Sequence, residues 1–416
     1  MRQWIRSLLS AVVVSGAVDA CNRAPSVAPA PAERQWFATW AASQLEGPPR
    51  PPADSVDRRP TYANRTIREI VHTSLGGDRV RIRVSNEYGD RPLVIGAAHV
   101  AVRDTGASIV ASTDRAISFG GHSSIVIRPG ATVVSDPVGL AVPALGDLAV
   151  SLFLADTARA TTRHALALQT NYVTREGDFT ASVTVAADTM RTWLFLCGVD
   201  VTNASATGVI VALGNSITDG ASSTPNANRR WPNVLAQRLL ASSEPPKGVI
   251  DAGISGNRVL SPGTGPSALA RFDRDVLMQP GLTHVIVLEG INDIGRSANP
   301  REAVSADDII VGLRQLAERA HERGVVIYGA TLTPASPRQS FPDSLEAKRR
   351  AVNAWIRTSG VFDGVIDLDA ATRDPGHPTY FLPAFDSGDH LHPSDAGHRA
   401  MGEAIDLALF RARVRR

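Results

Sequence analysis

Cysteine is almost missing from this chain: it stands at 21 and 197 only, in 416 residues. Two cysteines cannot build the disulfide framework of a small secreted scaffold. Lysine is as scarce, at 247 and 348, so nearly all the cations are arginine. An excess of either charge is missing too, because 43 Lys plus Arg face 41 Asp plus Glu. Without a basic field, nothing points to nucleic acid. No apolar run is long and unbroken enough to read as a membrane span. What is present is length and an apolar share of 43%, enough for a sizeable core and for more than one compact domain.

The first twenty residues read as an export signal. Arg2 and Arg6 precede the apolar "SLLSAVVVSGAV", and Val18 and Ala20 suit signal peptidase. Cys21 then stands where bacterial lipoproteins carry an acylated cysteine, although Asp19 departs from that pattern. Three readings stay open: a lipid anchor at Cys21, cleavage after Ala20 without lipid, and a retained segment. Residues 21–34 form a Pro/Ala spacer that would act as a tether. The expectation is an exported protein: periplasmic, membrane-tethered or secreted. Cys197, inside "TWLFLCGV", reads as a buried core thiol and not as a nucleophile.

Residues 35–205 read as β structure. "DRVRIRVSNEYG" alternates polar and apolar, and "LVIGAAHVAVRD", "DLAVSLFLAD" and "RTWLFLCGVDVT" share that style. Turn residues such as Gly76–Gly77–Asp78 and Pro129–Gly130 separate them. Many short strands and no long helix predict an antiparallel β-sandwich domain. From 206 to 416 the rhythm changes. Short apolar runs, "GVIVAL", "GVIDA", "HVIVLE", "VVIYGA" and "GVIDL", alternate with helical stretches. That pattern predicts an α/β domain, with helices on both faces of a parallel sheet.

Ligands of such sheets bind beyond the carboxyl ends of the strands. In "VALGNSITDG" the first strand ends at Gly214-Asn215-Ser216. The second ends in "GISGN", with Gly256, and the third in "GIND", with Asn292. The fifth is followed by "DSGDHLHP", with Asp389 and His392. A serine hydroxyl needs a base to become a nucleophile. His392 can supply it, if Asp389 three residues earlier fixes its tautomer. An oxyanion needs donors, and the amides of Ser216 and Gly256 and the side chain of Asn292 share this rim. His390 and His398, with His392 and Asp389, admit a metal site as the other reading. His390 reads instead as a surface or loop residue. Trp36 and Trp40 read as core packing, with a substrate groove as the other reading.

The blocks "GNSITDG", "GISGN", "GIND" and "DHLH" resemble, in order and spacing, the four signature blocks of the SGNH, or GDSL-type, hydrolases. The resemblance covers about 200 residues of the chain. It implies a flavodoxin-like sheet, Ser216 as nucleophile with Asp389 and His392, and Gly256 and Asn292 as oxyanion donors. Asn215 departs from the family's Asp, which bears on the loop and not on the nucleophile. The front half resembles, more loosely, that of two-domain bacterial members grouped with xylan-cluster esterases. The lipase elbow Gly-x-Ser-x-Gly is missing, which argues against an α/β-hydrolase.

The expected activity is that of an exported serine ester hydrolase acting on short-chain esters, such as the acetyl esters of carbohydrates. The expected partner is a small-molecule or polysaccharide ester, with no cofactor and no metal implied. An acyltransferase on the same triad, and a surface-tethered glycan-binding protein, are the alternatives.

Overall fold

The computed structural model describes residues 35–48, 59–338 and 340–411. The expected export signal, the spacer and Cys21 lie outside the described residues. The alternation in "DRVRIRVS" does make a strand, Gly77–Ser85. Its Val80, Ile82 and Val84 are fully buried, and Arg79, Arg81 and Arg83 point the other way. It pairs antiparallel with Leu196–Thr202, Val138–Val142 and Thr132–Val134, and Leu196–Thr202 pairs in turn with Trp36–Ala41.

A second antiparallel sheet of seven strands is built around Arg65–His72, Asp147–Leu154 and Leu93–Val102. Ile67, Leu148, Val150 and Leu152 of this sheet share one apolar cluster with Val80, Ile82 and Val84 of the first. These are the antiparallel sheets expected of the front half.

The architecture changes between Thr202 and Val209. Five strands then form a wholly parallel sheet in the order Gly248–Gly253, Val209–Gly214, Leu282–Leu288, Val326–Ala330, Gly364–Ile366. In chain order this is 2-1-3-4-5, the flavodoxin-like arrangement. The strands are apolar without alternation because both faces are covered. Helix Trp231–Ala241 packs with Asp395–Glu403, and Ala306–Glu322 with Asp343–Thr358. A Ser305/Asp308 capping box starts Ala306–Glu322. The stretch "ALARFDRDVLM" is not one regular helix: Ala268–Phe272 is α-helical and Asp273–Leu277 is a π-turn.

From Gln35 onward the chain clusters as one unit. The apolar cluster that fills the two antiparallel sheets also contains Val209, Ile210, Val285 and Ile286 of the parallel one. Polar contacts join the halves as well. The Ala38 amide donates to the Pro280 carbonyl at 2.9 Å, and the Val249 amide to the Ser74 hydroxyl at 2.9 Å.

Candidate active site

Strand Val209–Gly214 is buried along its whole length. It stops because Asn215 caps a helical turn: its Oδ1 accepts from the Ile217 amide at 3.0 Å. That single turn, Ser216–Asp219, is closed by Gly220 at φ 94°. It lies directly on the end of the neighbouring strand. A Cβ at Gly253 would stand 2.2 Å from the Asp219 nitrogen, so no side chain fits there. Asn215 also donates through Nδ2 to Glu289 Oε2 at 3.1 Å. An aspartate at 215 would instead set a second carboxyl against that of Glu289, so the departure from the family's Asp has a local reason.

Ser216 and His392 are 176 residues apart in sequence, and His392 Nε2 stands 2.9 Å from Ser216 Oγ. His392 Nδ1 lies 2.5 Å from Asp389 Oδ2. Asp389 Oδ1 accepts from the amides of Leu391 at 2.9 Å and His392 at 2.8 Å. Burial pushes the Asp389 carboxyl up, but the His392 amide and ring and the Leu391 amide outweigh it and hold it at about 2. The carboxylate therefore fixes the proton on Nδ1 and leaves the Nε2 lone pair facing the serine hydroxyl.

The donor positions lie on the adjoining strand ends. Asn257 closes a turn by donating to the Ile254 carbonyl at 3.0 Å, and Gly256 occupies its third position at φ 82°. Positive φ at that place favours glycine. Asn292, on helix Ile291–Arg296, donates one Nδ2–H to the Asn257 carbonyl at 2.9 Å. Its second N–H is left over. The Ser216 amide, first in its helical turn, has no intrahelical acceptor.

Two buried ionisable side chains that sequence reasoning missed knit these ends together. Arg271 is 1% exposed. Its guanidinium donates to the carbonyls of Gly214 at 2.9 Å and Ala252 at 2.7 Å, and to Asn257 Oδ1 at 2.9 Å. It also reaches Ser43 Oγ of the front half at 3.2 Å. Glu289, 1% exposed, accepts from Asn215 and from the Gly290 amide at 3.1 Å. Burial pushes its carboxyl up to about 8, against the pull of Arg271. Nothing in "ALARFDRDVLM" sets Arg271 apart from Arg274. Glu289 is visible in the sequence only as the last residue of a strand.

The remaining candidates separate. His390 Nδ1 pairs with Asp386 Oδ2 at 2.5 Å and does not approach Ser216 within hydrogen-bond distance. His398 is fully buried and its Nε2 donates to the Ala221 carbonyl at 3.2 Å; burial pushes the ring down to about 4. Among the described residues no group of three His, Cys, Asp or Glu side chains could hold a metal. Trp40 is buried edge-on to Trp193, ring centroids 5.0 Å apart, and Trp36 carries the Arg81 guanidinium 4.5 Å from its ring. Cys197 is half-buried; its thiol donates to the Arg83 carbonyl at 3.4 Å, and desolvation pushes it up to about 12. It is an inert thiol.

Residues 212–400 match the family model described as the GDSL-like Lipase/Acylhydrolase family. This part of the chain is a GDSL-like domain. Among solved structures, the acetylxylan esterase Axe2 of Geobacillus stearothermophilus is similar at 23% identity over 48% of this chain and 93% of its own, with a TM-score of 0.38. A GDSL-like lipase of Bacteroides thetaiotaomicron VPI-5482 is similar at 19% identity over 49% of this chain and 88% of its own, with a TM-score of 0.35. No curated protein matches the chain. The family match supports an ester hydrolase.

Proposed function

We propose that the protein is an exported serine esterase that removes short acyl groups, acetyl above all, from carbohydrate or similarly hydrated alcohols. The observation that carries the chemistry is the unbroken line Ser216 Oγ, His392 Nε2, His392 Nδ1, Asp389, at 2.9 and 2.5 Å. Ser216 Oγ attacks the ester carbonyl as His392 Nε2 takes its proton. The tetrahedral oxyanion is met by the amides of Ser216 and Gly256 and by the spare N–H of Asn292. Collapse breaks the bond to the alcohol, which leaves with the proton from His392. Water then attacks the acyl-enzyme, His392 again taking and returning a proton, and the free acid departs.

The surface beside Asp389 supports a hydrated substrate. An open groove of about 540 Å³ is lined by Pro337, Arg338, Ser340, Gly388, Asp389 and His390, so proline is its only apolar side chain. A buried acyl groove would gain about 0.8 kcal/mol per methylene, and a polar rim does not. The positive start and apolar core of residues 1–20 support export.

The test is labelling and turnover. A fluorophosphonate probe should label the protein once, at Ser216, and Ser216→Ala should lose both label and activity. Across p-nitrophenyl esters from acetate to palmitate, kcat/KM should be highest for the shortest. Undiminished turnover by Ser216→Ala would remove the nucleophile. A rate that climbs with chain length would make this a lipase-like enzyme.

A further inference from the structure

His164 belongs to the front half, in the short strand Thr162–His164, and is 3% exposed. Both of its ring nitrogens face acceptors: Nδ1 lies 2.9 Å from the Ser43 carbonyl and Nε2 3.0 Å from Asp219 Oδ1. A carbonyl and an ionised carboxylate can only accept, so the ring that satisfies both carries two protons and a positive charge. Burial pulls the imidazole down, but the Asp219 carboxylate and the Ser43 carbonyl outweigh it, and the ring is raised above its ordinary value.

The other oxygen of Asp219 reaches the oxyanion turn. Oδ2 accepts from the Ser255 amide at 2.9 Å and from the Ser255 hydroxyl at 2.7 Å. Ser255 is thus held at two points, and Asn257 closes the turn on Ile254 at 3.0 Å. These contacts restrain the peptide between Ser255 and Gly256, which carries the Gly256 N–H. Asp219 also ends the helical turn that Ser216 begins. One carboxylate therefore links the nucleophile turn to the donor turn, and a histidine from the other half holds it.

We propose that His164 is a positioning residue for ester hydrolysis, which aims the Gly256 amide through Asp219 and Ser255. This rests on the reading of Ser216 as nucleophile and Gly256 as oxyanion donor. His164 shares a cavity of about 40 Å³ with His72, Asp219, Arg230, Asp251 and Trp193. Arg230 donates to the Asp219 carbonyl at 2.8 Å and stands 3.7 Å from Asp251. Burial pushes Asp251 up to about 7, so its ionisation near neutrality adds negative charge that favours the charged histidine. A histidine raised in this way is fully charged below its ordinary value and loses its proton as pH rises through its folded value. Above that, the neutral ring faces one acceptor with a lone pair and the link to Asp219 weakens. The consequence is a fall in kcat on the alkaline side.

The experiment measures kcat and KM against pH for the full chain and for His164→Phe, His164→Gln and Ser216→Ala. His164→Phe removes both donors and should lower kcat about 10- to 100-fold, the scale of a misdirected oxyanion donor, with KM little changed. His164→Gln keeps one N–H for Asp219 and does not titrate. It should recover part of kcat and lose the alkaline fall. A His164→Phe enzyme with the parent's kcat, or with its loss confined to KM, overturns the proposal. So does a His164→Gln enzyme that keeps the alkaline fall, and that profile decides alone if His164→Phe does not fold. An inactive Ser216→Ala beside unaffected His164 variants sinks the positioning role only. An active Ser216→Ala sinks the reading beneath it.

Discussion

Glu289→Gln should make the protein more resistant to unfolding at alkaline pH, and the size of the effect comes from where Glu289 sits. The carboxyl is 1% exposed, and its two hydrogen-bond donors, Asn215 Nδ2 and the Gly290 amide, both at 3.1 Å, are neutral. The nearest cation, Arg271, is 3.9 Å away and has Asp275 at 3.2 Å as a second partner. Desolvation wins and lifts the group from an ordinary 4.5 to about 8. Between those values the unfolded chain has lost the proton and the folded chain has kept it. Stability must then fall as pH rises through that window, by about 1.4 kcal/mol per pH unit, and level off above it. The whole window is worth on the order of 5 kcal/mol. A glutamine keeps the acceptor for Asn215 and Gly290 and cannot ionise. Denaturant unfolding of parent and variant from about pH 5 to about pH 9 measures the difference, in which all other titrating groups cancel. The gap in favour of Glu289→Gln should widen steadily up to about pH 8 and then hold. Parallel curves across that range would refute the argument, because they would show a glutamate that ionises alike in both states.

The site carries two further expected outcomes. Asn292→Ala removes a side-chain donor and should lower kcat by about 10²–10³ with KM little altered; a change confined to KM, read from steady-state kinetics on a short ester, would make Asn292 a binding residue. Among the histidines, His392→Ala should leave very little activity and His390→Ala most of it, since His390 is bonded to Asp386 and not to Ser216; the opposite ranking in the same ester assay would overturn the assignment.

Much of this arrangement is legible in the sequence because it depends on where strands end. Five apolar runs mark five strands of the parallel sheet within a few residues, and the side chains just past them have few places to go except one rim. Ser216, Asp389 and His392 meet for that reason. The front half is legible where charge and apolarity alternate, as in Gly77–Ser85. It is not legible where the inside is charged. Strand Arg65–His72 carries Arg68 and Glu69 in succession, both fully buried. Arg68 is satisfied by the carbonyls of Ala107 at 2.6 Å and Ser182 at 2.7 Å and by the Ser151 hydroxyl at 2.8 Å, and one oxygen of Glu69 accepts from the Leu194 amide. Those partners lie 39 to 125 residues away, so no local pattern announces them. The same holds for Arg271 and His164, whose importance comes from contacts across the fold. Asp219 is the available hint: a carboxylate in the same helical turn as Ser216, the proposed nucleophile.

The seam between the two halves limits how such a protein can be rebuilt. Strand Gly248–Gly253 is an edge of the parallel sheet, and its outward side is finished by the Ser74 hydroxyl on the Val249 amide. Ser43 meets Arg271 and His164 meets Asp219 across the same seam. A recombination event that joined the part after residue 206 to a different leading segment would strip an edge strand of its cap and take one buried partner each from Arg271 and Asp219. The halves differ in architecture, yet they share these buried contacts, and a chimera that kept them would have to carry Ser43, Ser74 and His164 along with the blocks around Ser216, Gly256, Asn292 and His392.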